Sequence, residues 1–489
     1  MLVQSLSVEL TKIEQKMKNA ATYDEWKRNA LEHDDISGRK EWKKKSKSDD
    51  YDYVNIQTRL KEIRSLREAG DDIGLLFALN EGIHGNMGGM GKSVLYERAK
   101  FGTKVLIEEY VDELVTSLQH ISSLPENEIP FEEKLDFFER ASHCFGRSAL
   151  MLSGAGSLGH FHTGVVKTLI AHNLMPAVIS GSSAGSVLAG VLGTHTESEL
   201  EILLDQGMMS SGQRVLEEAS LGIRRPQVDV NDVHQMLKEL IPDMTFQEAY
   251  EKTGRLINVT IAPAEQHQTS RLMNATTSPN VFIRTAVLAS CAVPGVFPPV
   301  MLMAKNVFGE AQPYLPNRRW VDGAVTDDLP AKRLARLYGV NHYIVSQANP
   351  LALMIQKGDE YWFAPKSIKN VVRHAGREAL RSGEELSRRY LSPWPGVSKA
   401  MNMFYSVAAQ NYTGDVNIAP SFSFVDPQKL LGHLTLKEME ELAAEGERST
   451  WANLEQIRIS SKVGKCLDTI LDHHSDHDVK RIYKKRKSV

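Results

Sequence analysis

Ser183 is the residue best placed to do chemistry. It is the centre of Gly181-Ser182-Ser183-Ala184-Gly185, a G-x-S-x-G run that follows a short apolar stretch, Ala177-Val178-Ile179-Ser180, and precedes a small-residue helix. A serine can act as a nucleophile when a sharp strand-to-helix turn lifts its hydroxyl clear of the backbone. Gly181 and Gly185 would relieve the crowding of such an elbow, and the helix that follows aims its positive end at developing negative charge. Alone, the same residues would also suit a turn that lets a helix pack close to a sheet.

A second glycine run lies upstream, Gly154-Ala155-Gly156-Ser157-Leu158-Gly159, again after an apolar run. As G-x-G-x-x-G it could open a dinucleotide fold, but that use needs an acid near the next strand end to hold a ribose. No acidic residue occurs between Gly159 and Glu197. A glycine loop whose backbone N–H groups face a serine makes better sense as an oxyanion hole. No dinucleotide, other cofactor or metal is expected.

The serine needs a base. Asp322, in Trp320-Val321-Asp322-Gly323-Ala324, sits at the end of a short apolar run, and Gly323 would let the chain bend so that the carboxylate points inward. Asp327 and Asp328 read as solvated loop charges or helix caps ahead of Leu329-Pro330. Among sixteen histidines, His160 and His162 follow the glycine loop, and His342 and His374 follow Asp322; each is a weak candidate for a third member, and a two-residue Ser–Asp machine is expected.

The elements needed to position these groups can be read from the rest of the chain. Residues 1–146 carry apolar positions at helical spacing, as in YVNIQTRLKEIRSLREAG and VLIEEYVDELVTSLQHI. The connector GIHGNMGGMGKS ends like a phosphate-binding loop but has Asn86 where that pattern needs glycine, and it reads as an irregular link between helices. From 147 to 350 the pattern changes to SALMLSG, AVIS, LINVTIAP and HYIVSQANP, apolar runs alternating with helical stretches, which indicates a layered α/β core with a mostly parallel sheet. Residues 351–489 read as mostly helical, with a basic tail KRIYKKRKSV. Within them, 365–390 reads as an amphipathic basic helix with Lys366, Lys369, Arg373, Arg377 and Arg381 on one face, a candidate membrane-surface element.

The chain has 489 residues, a formal net charge of −3 and 42% apolar residues, which suits a folded protein and argues against general nucleic-acid binding. Cys144, Cys291 and Cys466 are far apart, so a reducing compartment, the cytoplasm, is expected rather than a disulfide framework. Charges at Glu9, Lys12 and Glu14 interrupt the apolar core a secretory leader would need. No stretch is apolar for the roughly 18–20 residues a spanning helix requires.

Taken together, SGAGSLGHFHTGVV, GSSAGS, ASCAVPGVFPPV and WVDGAV, in this order and spacing, resemble the patatin-like phospholipase and lipase family. The resemblance implies a three-layer α/β/α core, with Ser183 as nucleophile, Asp322 as its base and Gly154, Ala155 and Gly156 as the oxyanion loop. Many members have three glycines in that loop; here Ala155 takes the middle place and still offers an N–H. The N-terminal TYDEWKRNALEHDDISGRKEWK and GIHGNMGGMGKSVLYERAKFGTK resemble the helical extension of a branch that includes triacylglycerol lipases of lipid droplets and seed oil bodies. A lipid acyl-hydrolase working at a membrane or lipid-droplet surface is therefore expected: a triacylglycerol lipase, alternatively a phospholipase or lysophospholipase. A scaffold that has lost catalysis would have no need of both Ser183 and Asp322.

Overall fold

The computed structural model describes residues 2–204, 230–265, 269–350, 352–353, 414–421 and 434–487. The basic stretch 365–390, with His374, lies outside them. The chain divides into two compact units. The first comprises Met1–Ser148, Tyr338–His342 and Trp451–Val489; the second comprises Ala149–Leu337 and Tyr343–Thr450.

The first unit is helical. The helix Tyr53–Ala69 begins where the Asp52 side chain accepts from the Asn55 N–H, and ends at Gly70 in the left-handed conformation. Its buried Ile56, Leu60 and Ile63 recur every three or four residues, hence on one face, and join Ile107, Tyr110, Leu114, Leu118 and Ile121 of the helix Val105–Ser123. Phe137 and Phe138 of Phe131–Phe145 complete the cluster together with Ile459, Val463, Leu467 and Ile470. These last four come from the helix Leu454–Lys487. This helix carries an apolar stripe into the core of the first unit. The glycine-rich connector is closed on itself, since Asn86 Oδ1 accepts the Gly91 N–H at 2.8 Å and Lys92 Nζ donates to the Asp50 carbonyl at 2.9 Å. The lysine a phosphate would need is already spent.

The second unit is built on a mixed sheet. Its strands are β1 (Arg147–Leu152), β2 (Val178–Gly181), β3 (Leu256–Pro263), β4 (Arg271–Met273), β7 (Trp320–Asp322), β8 (Val340–Ser346) and β9 (Val416–Ile418). The order is β4-β3-β2-β1-β8-β9, with β7 paired to β3. The pairs β1–β2, β2–β3 and β8–β9 are parallel, whereas β4 and β7 run antiparallel to β3. All of Ala149–Leu152 and all of β2 are buried, which explains why these strands read as unbroken apolar runs rather than alternating ones. The helices Ala184–Thr194 and Ile283–Ser290 pack on β3. A small hairpin, β5 (Met303–Lys305) with β6 (Ala311–Pro313), stands outside the sheet.

Candidate active site

The elbow forms because two glycines allow it. A β-carbon on Gly181 would lie 2.3 Å from the Gly185 carbonyl oxygen, and one on Gly185 would lie 2.3 Å from that of Leu152. Neither distance is tolerable, so only glycine lets β2, the turn and the end of β1 approach this closely. Between them Ser183 adopts φ 51°, ψ −125°, a strained conformation for a residue with a side chain. The strain is held by hydrogen bonds. The Ser183 N–H donates to Ser290 Oγ at 2.9 Å, and that hydroxyl donates onward to the Thr260 carbonyl at 2.8 Å, tying the elbow to β3. Ser186 Oγ and the Ser186 N–H both donate to the Ser183 carbonyl, at 2.6 and 2.9 Å.

Asp322 ends β7, paired antiparallel with Ile261 of β3. It is 3% exposed, and the Ser183 side chain is near enough to favour its ionised form. Its N–H donates to the Ala292 carbonyl at 2.9 Å, and its Oδ1 accepts the Ala324 N–H at 2.8 Å. Gly323 permits this turn: a β-carbon there would lie 2.7 Å from the Thr260 backbone. Burial raises the Asp322 carboxyl from its ordinary value to about 7, against the smaller lowering effect of the Ala324 hydrogen bond and the Ser183 side chain. It is therefore half-ionised near neutrality.

The glycine loop approaches the serine. The position a Gly154 β-carbon would occupy is 3.5 Å from Ser183 Cβ and 3.1 Å from Ala324 Cβ, and Gly156 has φ 55°. The Gly154 N–H, however, donates to Asp328 Oδ1 at 2.7 Å. The next two N–H groups, of Ala155 and Gly156, have no partner among the described residues.

Asp328 is the main feature that sequence reasoning missed. Taken as a solvated charge or cap, it is in fact fully buried, because it turns inward beneath the loop rather than out to solvent. Its Oδ2 accepts from Asn349 Nδ2 at 2.9 Å, and its carbonyl accepts from Ser182 Oγ at 2.9 Å. One residue thus holds the glycine loop and the elbow together. Burial raises its carboxyl to about 8; Asn349 and Gly154 oppose this, and the Asp322 charge reinforces it. The available signal was the next two residues, Leu329 and Pro330, both buried. Asp327 is different: half-buried and paired with Arg333 at 2.5 Å.

His162 and His342 have partners of their own among the described residues. His162 is fully buried, its Nδ1 2.7 Å from Ser346 Oγ and its Nε2 3.0 Å from the Ser153 carbonyl. A carbonyl only accepts, so Nε2 carries the proton and the Ser346 hydroxyl donates to Nδ1. Burial lowers its pKa to about 4, and it stays neutral. Burial lowers His160 as well. His342 contacts Ser148 Oγ at 2.9 Å near the start of β8, four residues, or about 13 Å of strand, from the Ser346 end. Among the described residues no histidine hydrogen-bonds Ser183 or Asp322, and no cluster of metal-binding side chains occurs.

Residues 150–335 match the patatin-like phospholipase family, and the chain belongs to it. Residues 5–143 match a second pattern, a domain of unknown function designated DUF3336. The chain is 34% identical to triacylglycerol lipase SDP1L of Arabidopsis thaliana over 94% of its own length and 58% of that protein's. It is 32% identical to triacylglycerol lipase 4 of Saccharomyces cerevisiae, covering 92% of this chain and 52% of that one. With triacylglycerol lipase ptl3 of Schizosaccharomyces pombe the identity is 31%, over 91% of this chain and 94% of the other. The chain spans little more than half the length of the first two relatives.

Proposed function

We propose that this protein is a serine acyl-hydrolase of lipid esters that works with Ser183 and Asp322 alone, and that triacylglycerol is its substrate. The observation that supports the reading is a strained, elbow-mounted serine whose side chain acts on a buried carboxylate, with no cation paired to that carboxylate among the described residues. The substrate class rests on the relatives named as triacylglycerol lipases. The site of action is the surface of a membrane or lipid droplet in the cytoplasm; no helix among the described residues is long and apolar enough to cross a membrane.

In this mechanism the Ser183 hydroxyl gives its proton to ionised Asp322 as Oγ attacks the ester carbonyl. The carbonyl oxygen becomes an oxyanion received by the Ala155 and Gly156 N–H groups, with the N-terminus of the helix Ala184–Thr194 adding its positive end. Collapse breaks the ester C–O bond, and Asp322 returns the proton to the departing alcohol. A water then gives a proton to Asp322 and attacks the acyl-enzyme; the fatty acid leaves, and the proton passes back to Ser183. Asp328 keeps Gly154 in place so that the next two N–H groups face the oxyanion.

The test is fatty-acid release from pure protein supplied with tri-, di- and monoacylglycerols and with phospholipids. Triacylglycerol should be cleaved fastest, and the Ser183→Ala protein should cleave none. Faster release from phospholipid would transfer the substrate assignment to a phospholipase, and release by Ser183→Ala would move the nucleophile elsewhere.

A further inference from the structure

The chain between the helix Ile283–Ser290 and β7 has an unusual surface. Val307 and Phe308 are 93% and 84% exposed, more than any other large apolar side chain among the described residues. They occupy the tip of the β5–β6 hairpin, and the tip is tightly built. Asn306 Oδ1 accepts the N–H groups of both Phe308 and Glu310 at 2.9 Å. The Asn306 N–H donates to the Glu310 carbonyl at 2.9 Å, the Gly309 N–H to the Asn306 carbonyl at 3.0 Å, and Gly309 turns the chain at φ 84°. Single exposed apolar residues are ordinary. Two in sequence, held out by a turn whose own polar groups are satisfied, are a different matter.

Further apolar groups are exposed on the same stretch. Val296 is 47% and Leu315 39% exposed, with Pro298 and Pro313 exposed as well. The stretch is anchored to the catalytic residues at both ends. Cys291 Sγ contacts the Ser183 carbonyl at 3.6 Å and the Ala292 carbonyl accepts from the Asp322 N–H. Val300 and Trp320 exchange both backbone hydrogen bonds at 2.8 Å, two residues before Asp322. With Lys305 paired to Glu248, the charges left beside the hairpin are Arg318 and Arg319 against Glu310, in a chain whose net charge is negative. Apolar tips flanked by cations suit a lipid surface, where the tips enter the acyl boundary and the cations meet the phosphate level.

We propose that the Val307–Phe308 hairpin, with Val296 and Leu315, is the element that docks this protein on a lipid surface and sets the Ser183–Asp322 site against it. The proposal rests on the reading of the site as a lipid acyl-hydrolase, and the test separates the two.

Wild type and the double variant Val307→Asp/Phe308→Asp are compared in three assays. These are hydrolysis of a water-soluble short-chain ester, hydrolysis of a long-chain triacylglycerol emulsion coated with phosphatidylcholine, and co-sedimentation with phosphatidylcholine vesicles. The variant Ile73→Asp/Phe77→Asp is the control, since it changes another exposed apolar pair, on the helix Asp72–Asn80. The hairpin variant is expected to keep the soluble-ester rate and to lose about tenfold or more in emulsion rate and vesicle binding, while the control keeps all three. Unchanged vesicle binding and emulsion rate in the hairpin variant, or an equal loss in the control, would overturn the docking proposal. If wild type cleaves neither ester, the hydrolase reading fails, and vesicle sedimentation still judges the hairpin. Should the aspartates depress the soluble-ester rate, Val307→Gln/Phe308→Gln decides by the same comparison.

Discussion

Buried acids are handled in opposite ways in the two units. In the helical unit, Glu113 is 6% exposed, and burial alone would raise its carboxyl. Arg67 at 2.6 Å and Arg64 at 3.2 Å outweigh that effect and hold it below the usual carboxylate range. Asp34, also buried, meets Lys43 at 3.0 Å and two backbone N–H groups. In the second unit, Asp322 and Asp328 are as deeply buried, yet the partners described above for them are hydroxyl, amide and backbone groups, and burial carries them to about 7 and about 8. An acid held permanently ionised by arginine serves structure. An acid whose carboxyl is raised by burial can exchange a proton near neutrality, which is what a base for a serine must do.

The sharpest way to break this contrast is to remove each kind of acid. Asp322→Asn should fold and lose about 10³-fold or more in ester hydrolysis, measured as released fatty acid. Asp328→Ala comes next: losing the acceptor for Gly154 should lower kcat by about 10–10² with little change in KM. Asp328→Asn, which keeps an acceptor oxygen, should recover most of that loss. A purely structural role would show instead as lost folded protein without the rescue. Glu113→Gln should behave in the reverse manner. It should destabilise the fold by about 1–3 kcal/mol in denaturant titration and leave the rate per folded molecule unchanged.

The same contrast gives a smaller effect on stability. Asp322 and Asp328 bind protons in the folded state that they would release above about pH 4 when unfolded. Their contribution to stability is therefore complete below about pH 4 and is lost as pH rises through about 7 and 8. Melting temperature measured from pH 5 to 8.5 should fall less steeply in Asp328→Asn than in wild type. An identical slope would show that Asp328 does not titrate in this range.

Much of the candidate site's backbone geometry was legible because it is enforced by local backbone chemistry. Gly181, Gly185 and Gly323 each sit where a β-carbon would strike backbone, and such a constraint is written at the residue itself. The strands β1, β2 and β3 were legible for a related reason, since strands buried on both faces need unbroken apolar runs. What escaped was tertiary. Asp-Asp-Leu-Pro has the composition of a turn, and nothing within it says that the second aspartate lies under a glycine loop 174 residues earlier. Ser290 looks like any small helical residue until its hydroxyl is seen bridging Ser183 and β3. The stripe Ile459, Val463, Leu467 and Ile470 announces a buried face without naming its partner, and that partner proved to be the N-terminal cluster.

The central claim is that one carboxylate, with no cation and no histidine, activates Ser183. It is tested most directly by the rate at which a fluorophosphonate labels Ser183 as a function of pH, with the modified residue identified by mass spectrometry. The expected result is labelling at Ser183 whose rate rises with pH as one group ionises at about 7. The rise should vanish in Asp322→Asn and persist in His160→Ala and in His342→Ala. A profile unchanged in Asp322→Asn, or one abolished by either histidine substitution in a folded protein, would contradict the two-residue site.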